Sequence, residues 1–191
     1  MQTPGYRVRR MRVFVAGATG VIGRELEPPA VEAAIAVAMP EVVVHQLSAI
    51  PARVDPRQFA EGFEAANKLR RDRTRNLVAA AVAAGARRVV AQSIAQAYKP
   101  VSDWVKTEED PLYDGAPPVF RDVFDAVIEL EATVLRAHRI EPIVLRYSNF
   151  YGRGTRFASD GSEAELVRQQ KFPVAGGGAA RWSFIAHPPR R

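Results

Sequence analysis

Four short apolar runs punctuate the chain, and longer amphipathic stretches separate them. "MRVFVAG" (11–17) is rich in apolar and β-branched residues and ends in glycine, the pattern of a buried parallel strand. "PEVVVHQL" (40–47), "ARRVVAQS" (86–93) and "EPIVLRYS" (141–148) have the same character. Residues 57–84 carry Phe59, Phe63, Leu69, Leu77, Val78 and Val82 at broadly helical spacing, and Gly85 follows as a stop signal. Residues 119–139 place Val123, Val127, Leu130, Val134 and Ala137 at steps of three and four, which predicts an amphipathic helix. Strands alternating with helices of this length predict an α/β fold, a parallel sheet with flanking helices. The closing "GGGAARWSFIAHPPRR" follows neither period and is expected to be irregular.

The junction after the first strand carries chemistry. Gly17, Gly20 and Gly23 form GxxGxxG between a predicted strand and a predicted helix. Gly17 permits a tight turn out of the strand, Gly20 lets backbone approach a pyrophosphate, and Gly23 lets the helix pack on the sheet. The helix N-terminus then faces the phosphates. The alternative is a plain strand–turn–helix connection. Asn149 and Tyr151 follow the last strand at its carboxyl end, where open α/β sheets bind ligands, and are candidate substrate contacts. Asp103, Glu108, Glu109, Asp110 and Asp114 crowd a Pro- and Gly-containing loop, read as a solvated lid rather than an acid/base pair.

Composition narrows the function classes. With 191 residues and 47% hydrophobic content, the chain can bury one core without covalent staples. It has no cysteine, which excludes disulfides and thiolate chemistry, and its three histidines are far apart, so no metal site is expected. The net charge of +6 comes from dispersed arginines rather than a basic patch with aromatics, which predicts no specific nucleic-acid partner. No apolar run reaches membrane-spanning length and "MQTPGYRVRR" lacks a signal-peptide core, so the expectation is a cytoplasmic protein with no membrane partner.

"VFVAGATGVIG" resembles the opening of extended short-chain dehydrogenases/reductases, the NAD-dependent epimerase/dehydratase family. Further segments resemble the family in the same order. They are "PEVVVHQLSA" (its fourth strand), "TRNLVAAAVAAGARRVVAQSIAQAY" (the next helix and fifth strand), "VLRYSNFYGRG" (the sixth strand) and "FPVAGGGAARWSF". The resemblance implies NAD or NADP as cofactor and a small-molecule substrate. Gly17, Thr19, Gly20, Val21, Ile22 and Gly23 would hold the pyrophosphate, and Leu47, Ser48, Ser93, Tyr147 and Ser148 would line the nicotinamide side.

Departures from the family pattern set the functional question. "GRELEPP" meets "AVEAAIAVAMPEVVV" directly, so the family's second and third strands look deleted, and Pro28 and Pro29 break the first helix. On a rival reading, "VVVHQL" is the second strand of a shortened fold. The family's YxxxK pair is missing. Aligning Glu131 with the family's helix glutamate puts Val123 and Val127 there, aligning Glu129 puts Arg121 and Asp125 there, and Ile94 stands at the catalytic serine. In the family's Asn–x–x–Gly–Thr stretch Thr74 fits, Arg73 replaces glycine, and Asn67 is either a substitute from an earlier turn or a solvated residue.

The resulting expectation has residues 1–10 as a tail, 11–152 as a Rossmann-type NAD(P)-binding domain, and 153–191 as a remnant of the substrate region. The parent activity is oxidoreduction or epimerisation of a small carbonyl or sugar-nucleotide-like compound, with no catalytic residues identified. The alternative is a non-catalytic dinucleotide sensor, scaffold or inactive remnant. A lost sheet edge predicts homodimerisation or aggregation through that edge.

Overall fold

The protein is described by a computed structural model over residues 10–17, 28–50, 58–101, 103–174, 176–179 and 181–186. The strands are β1 (Val13–Ala16), β2 (Val42–His45), β3 (Arg88–Ile94) and β4 (Glu141–Tyr147). They form one sheet in the order β1-β2-β3-β4, with β1–β2 and β2–β3 parallel. The connections are α1 (Pro28–Ala38), then α2 (Phe59–Lys68) and α3 (Thr74–Ala83), and α4 (Pro118–Leu135). A π-helical turn, Leu69–Arg73, joins α2 to α3 without a break.

This strand order decides between the two readings of "VVVHQL". A dinucleotide-binding sheet has the order 3-2-1-4-5-6 and reverses direction beside its first strand. Here the chain steps from β1 to β4 without reversing, so β2 occupies the place of the family's fourth strand. Among the described residues β1 is consequently an edge strand, where a full sheet would continue into two more strands. Pro28 and Pro29 are the first two residues of α1, a position where the missing N–H costs nothing.

One core holds the sheet and three helices together. Ala16, Val43, Val89 and Ala91 point from the strands toward Val31 and Ile35 of α1, Leu77 and Ala81 of α3, and Leu130 and Val134 of α4. The opposite side of β1 is open, with Val13 45% and Val15 38% exposed. α3 ends as predicted: Gly85 takes φ +70° and the Ala86 N–H reaches Ala81 O at 3.0 Å. Among the described residues no helix is long and apolar enough to cross a membrane.

The chain divides into two compact units. The first runs up to Ser93 and resumes over Ala97–Leu145; the second comprises Ile94–Gln96 and the chain from Arg146 onward. In the second unit β5 (Asn149–Tyr151) pairs in parallel with β6 (Phe184–Ala186), and α5 (Ser162–Arg168) lies between them in sequence. The last segment is therefore partly ordered as a strand, which its sequence did not suggest.

Candidate functional site

The first unit gathers its chemistry at the carboxyl ends of the strands. The register that pairs Ala16 with His45, and His45 with Ala91, brings Gly17, Gln46–Ser48 and Ser93 to one rim. Gly17 is the tightest point of that rim. It has φ +99°, and a Cβ there would lie 2.5 Å from Gln46 O and 3.0 Å from Leu47 N. Two backbones touch where the strand gives way to the glycine loop, so the first glycine serves both the turn and the close approach. Thr19, Gly20, Val21, Ile22 and Gly23 lie outside the described residues.

A buried histidine fixes the second strand of the rim. His45 is fully buried at the end of β2. Its Nδ1 accepts the Leu47 N–H at 3.3 Å, which leaves the ring proton on Nε2, donated to Thr74 Oγ1 at 2.8 Å. Burial disfavours the imidazolium and pushes the His45 pKa down to about 4. The neutral ring thus ties the β2 exit to the helix crossing behind it, with Leu47 buried and Ser48 exposed.

One turn before Thr74, the π-helical segment presents a polar cluster. Asn67 is 1% exposed, which removes the solvated reading. Its Nδ2 donates to Asp122 Oδ2 at 2.6 Å, and its Oδ1 accepts from Arg70 Nη1 at 3.2 Å. Arg71 donates to Asp122 Oδ1 at 2.6 Å and to Glu129 Oε2 at 3.2 Å, and Arg75 donates to Glu129 Oε1 at 3.0 Å. For Arg71, burial works against the charge but these two carboxylates outweigh it, and its pKa is raised. The Arg71 hydrogen bond, helped by Asn67, holds the Asp122 carboxyl below its usual range.

The two glutamates that can be aligned with the family's helix position differ in their surroundings on α4. Glu131 is 2% exposed and accepts Ser93 Oγ–H at 2.5 Å. Val123 and Val127 lie two turns and one turn earlier on that face, 6% and 2% exposed, and Val123 packs with Phe63 and Ala66. Arg121 and Asp125 are exposed on the other side. With Glu131 in the family's place, the two positions that would carry Tyr and Lys are buried valines; with Glu129 there, they are exposed charged residues. Sequence reasoning left Glu129 and Glu131 open because both sit at helical spacing; only the partner of each separates them.

The remaining predicted residues lie in the second unit. Tyr147 rests on Phe150 with ring centroids 5.5 Å apart. The Ser148 hydroxyl is hydrogen-bonded to that of Ser183. Asn149 pairs with Phe184, and Tyr151 meets the Phe184 ring at 6.4 Å. Of the lid carboxylates, Asp103, Glu108, Glu109 and Asp114 are exposed, while Asp110 accepts the Thr107 N–H at 2.7 Å.

No family model matches the chain. It is 41% identical over 210 residues to a 3-diazoavenalumate denitrifying reductase of a Streptomyces species, covering 92% of this chain and 68% of that protein. The matched stretch is longer than the 191-residue chain, so the relative carries residues inside the match that this chain lacks. Among solved structures, the dTDP-glucose 4,6-dehydratase of Streptomyces venezuelae aligns with a TM-score of 0.64 at 17% identity, over 84% of this chain and 48% of that one. The UDP-glucuronic acid 4-epimerase of Bacillus cereus aligns with a TM-score of 0.63 at 16% identity, over 82% and 48%. An NAD-dependent NDP-hexosamine 5,6-dehydratase of tunicamycin biosynthesis aligns with a TM-score of 0.60 at 24% identity, over 85% and 50%. The chain spans about half the length of these solved structures.

Proposed function

Because the chain belongs to the extended short-chain dehydrogenase/reductase family, the NAD-dependent epimerases and dehydratases, we propose that it is a cytoplasmic NAD(P)H-dependent reductase of a small molecule, one whose reaction needs no proton relay. The observation that carries the cofactor reading is Gly17 at φ +99°, packed against the Gln46 and Leu47 backbone where β1 gives way to the glycine loop, a place that no other residue could take. Leu47, Ser48 and Ser93 border the same rim. The family resemblance assigns Tyr147 and Ser148 to the nicotinamide and Asn149 and Tyr151 to the substrate, and all four belong to the second unit.

Neither pair of α4 positions holds Tyr and Lys, and this shapes the chemistry. Carbonyl reduction leaves an alkoxide that must collect a proton, the task of a Tyr–Lys pair. The cationic diazonium form of a diazo carboxylate, the kind of compound named for the reductase relative, makes no such demand. Bound NAD(P)H would supply a hydride to the carbon bearing a diazonium group. The C–N bond breaks with its electron pair leaving on N2, the hydride pair forms C–H, and the nicotinamide is oxidised. Nothing is left to protonate. Ancestry shared with a reductase at 41% identity also weighs against a non-catalytic sensor.

Calorimetric titration with NADH and NADPH tests the cofactor step, with micromolar binding expected. Anaerobic incubation with NADPH and 4-carboxybenzenediazonium tests the chemistry. Benzoate and N2 should form in step with NADPH oxidation, at least tenfold faster than without protein. A rate equal to the protein-free background, from a chain that binds NADPH, would overturn the diazo reading.

The bare edge of β1 further supports a homodimer in which two copies pair along it. Val15→Lys puts a charge on that edge and should convert the dimer to monomer in size-exclusion chromatography. A wild-type chain that elutes as a monomer at high concentration would rule the dimer out.

A further inference from the structure

Among the described residues Arg70 is a charged side chain without a counter-charge. It is only 7% exposed, yet its one hydrogen bond to a described residue is from Nη1 to the neutral amide oxygen of Asn67, at 3.2 Å. No described carboxylate pairs with it: Asp122 and Glu129 are taken up by Arg71, and Glu129 also by Arg75. Burial, with repulsion from Arg71, lowers the Arg70 pKa to about 10. A buried cation without a partner is expensive, and a fold that retains one has a use for it.

Its placement indicates the use. Thr74 is bonded to His45, the last residue of β2, and α3 runs on to the turn before β3. Arg70 lies one helical turn before Thr74, about 6 Å along the axis, on the N-terminal side of the residue that is tied to His45 and the β2 exit. The π-helical turn Leu69–Arg73 sets it there, a distortion frequent at functional sites. No buried side-chain nitrogen among the described residues lacks a partner, so the unmatched N–H groups of Arg70 sit at the small part of the residue that solvent still reaches.

We propose that Arg70 is an oxyanion-binding residue one helical turn from the tie to the β2 exit, its free guanidinium edge receiving a carboxylate or phosphate of the bound ligand. The planar fork suits either group. This deepens the reductase reading, since the proposed substrate is a carboxylate and the proposed cofactor carries phosphates.

The test compares wild type with Arg70→Met in calorimetric titrations with benzoate, inorganic phosphate and NADPH, each protein also followed by thermal melting. Arg70→Met is expected to melt at or above the wild-type temperature, because it removes an uncompensated buried charge. It should bind at least one of the three at least tenfold more weakly. Loss confined to benzoate identifies the substrate carboxylate as the occupant; loss of phosphate and NADPH identifies the cofactor. If wild type ignores NADPH while benzoate or phosphate binding still depends on Arg70, the reductase reading fails and the oxyanion site stands. Equal titrations by both proteins, no binding of any probe by wild type, or a variant that melts well below wild type would each overturn it.

Discussion

Replacing Gly17 with alanine should lower the unfolding free energy by about 3 kcal/mol and remove NADPH binding with it. Two costs combine. At φ +99° an L side chain is strained, and the new Cβ would overlap backbone that cannot step aside, 2.5 Å from Gln46 O and 2.7 Å from its carbon. Gly85 separates them: its φ is +70°, but a Cβ there would meet nothing within 4 Å. Gly85→Ala therefore incurs the conformational cost alone, about 1 kcal/mol. Urea unfolding of the two variants reads the difference as midpoint shifts at constant slope. Equal shifts would mean that the contact between the β1 and β2 exits carries no weight, and the cofactor reading would lose its main support.

The same contrast shows what the sequence made legible. The four strands and the helices on either side of them are readable because burial imposes a period, and apolar runs of this length bounded by Gly and Pro have few other uses. The break after "GRELEPP" is readable too, because an order without reversal follows from two strands not being there. What depends on partners distant in sequence is not readable. His45 and Thr74 are 29 residues apart, and Ser93 and Glu131 are 38 apart. Neither pair has a local pattern, only a polar residue at an otherwise apolar position. The π-helical turn is equally silent, since "LRRDR" reads as plain helix and one extra residue in a turn changes no composition. β6 escaped notice for a different reason: three residues are too few to show alternation.

Acid should destabilise the protein from about pH 6.5 downward, and His45 is the cause. An unfolded imidazole takes up a proton near pH 6.5, whereas the folded one, buried against Thr74 and the Leu47 N–H, accepts none until about pH 4. Between those values the unfolded chain binds more protons, so lowering the pH favours unfolding. The stability is complete above pH 6.5, is down by about 2 kcal/mol at pH 5, and is down by about 3 kcal/mol at pH 4, where the loss levels off. Asp122 adds a separate loss lower down, because its carboxyl is held below the usual carboxylate range and its contribution vanishes only as the pH falls through that range. His45→Gln keeps an amide donor near Thr74 and removes the titration. Urea unfolding from pH 7 to pH 4.5 should show the steep loss in wild type and a much flatter profile in the variant, even if the variant starts less stable. Parallel profiles would mean that His45 ionises freely in the folded protein. The β2 exit, and the rim built on it, would then lack the neutral tie between strand and helix that positions Gln46 and Leu47 beneath Gly17.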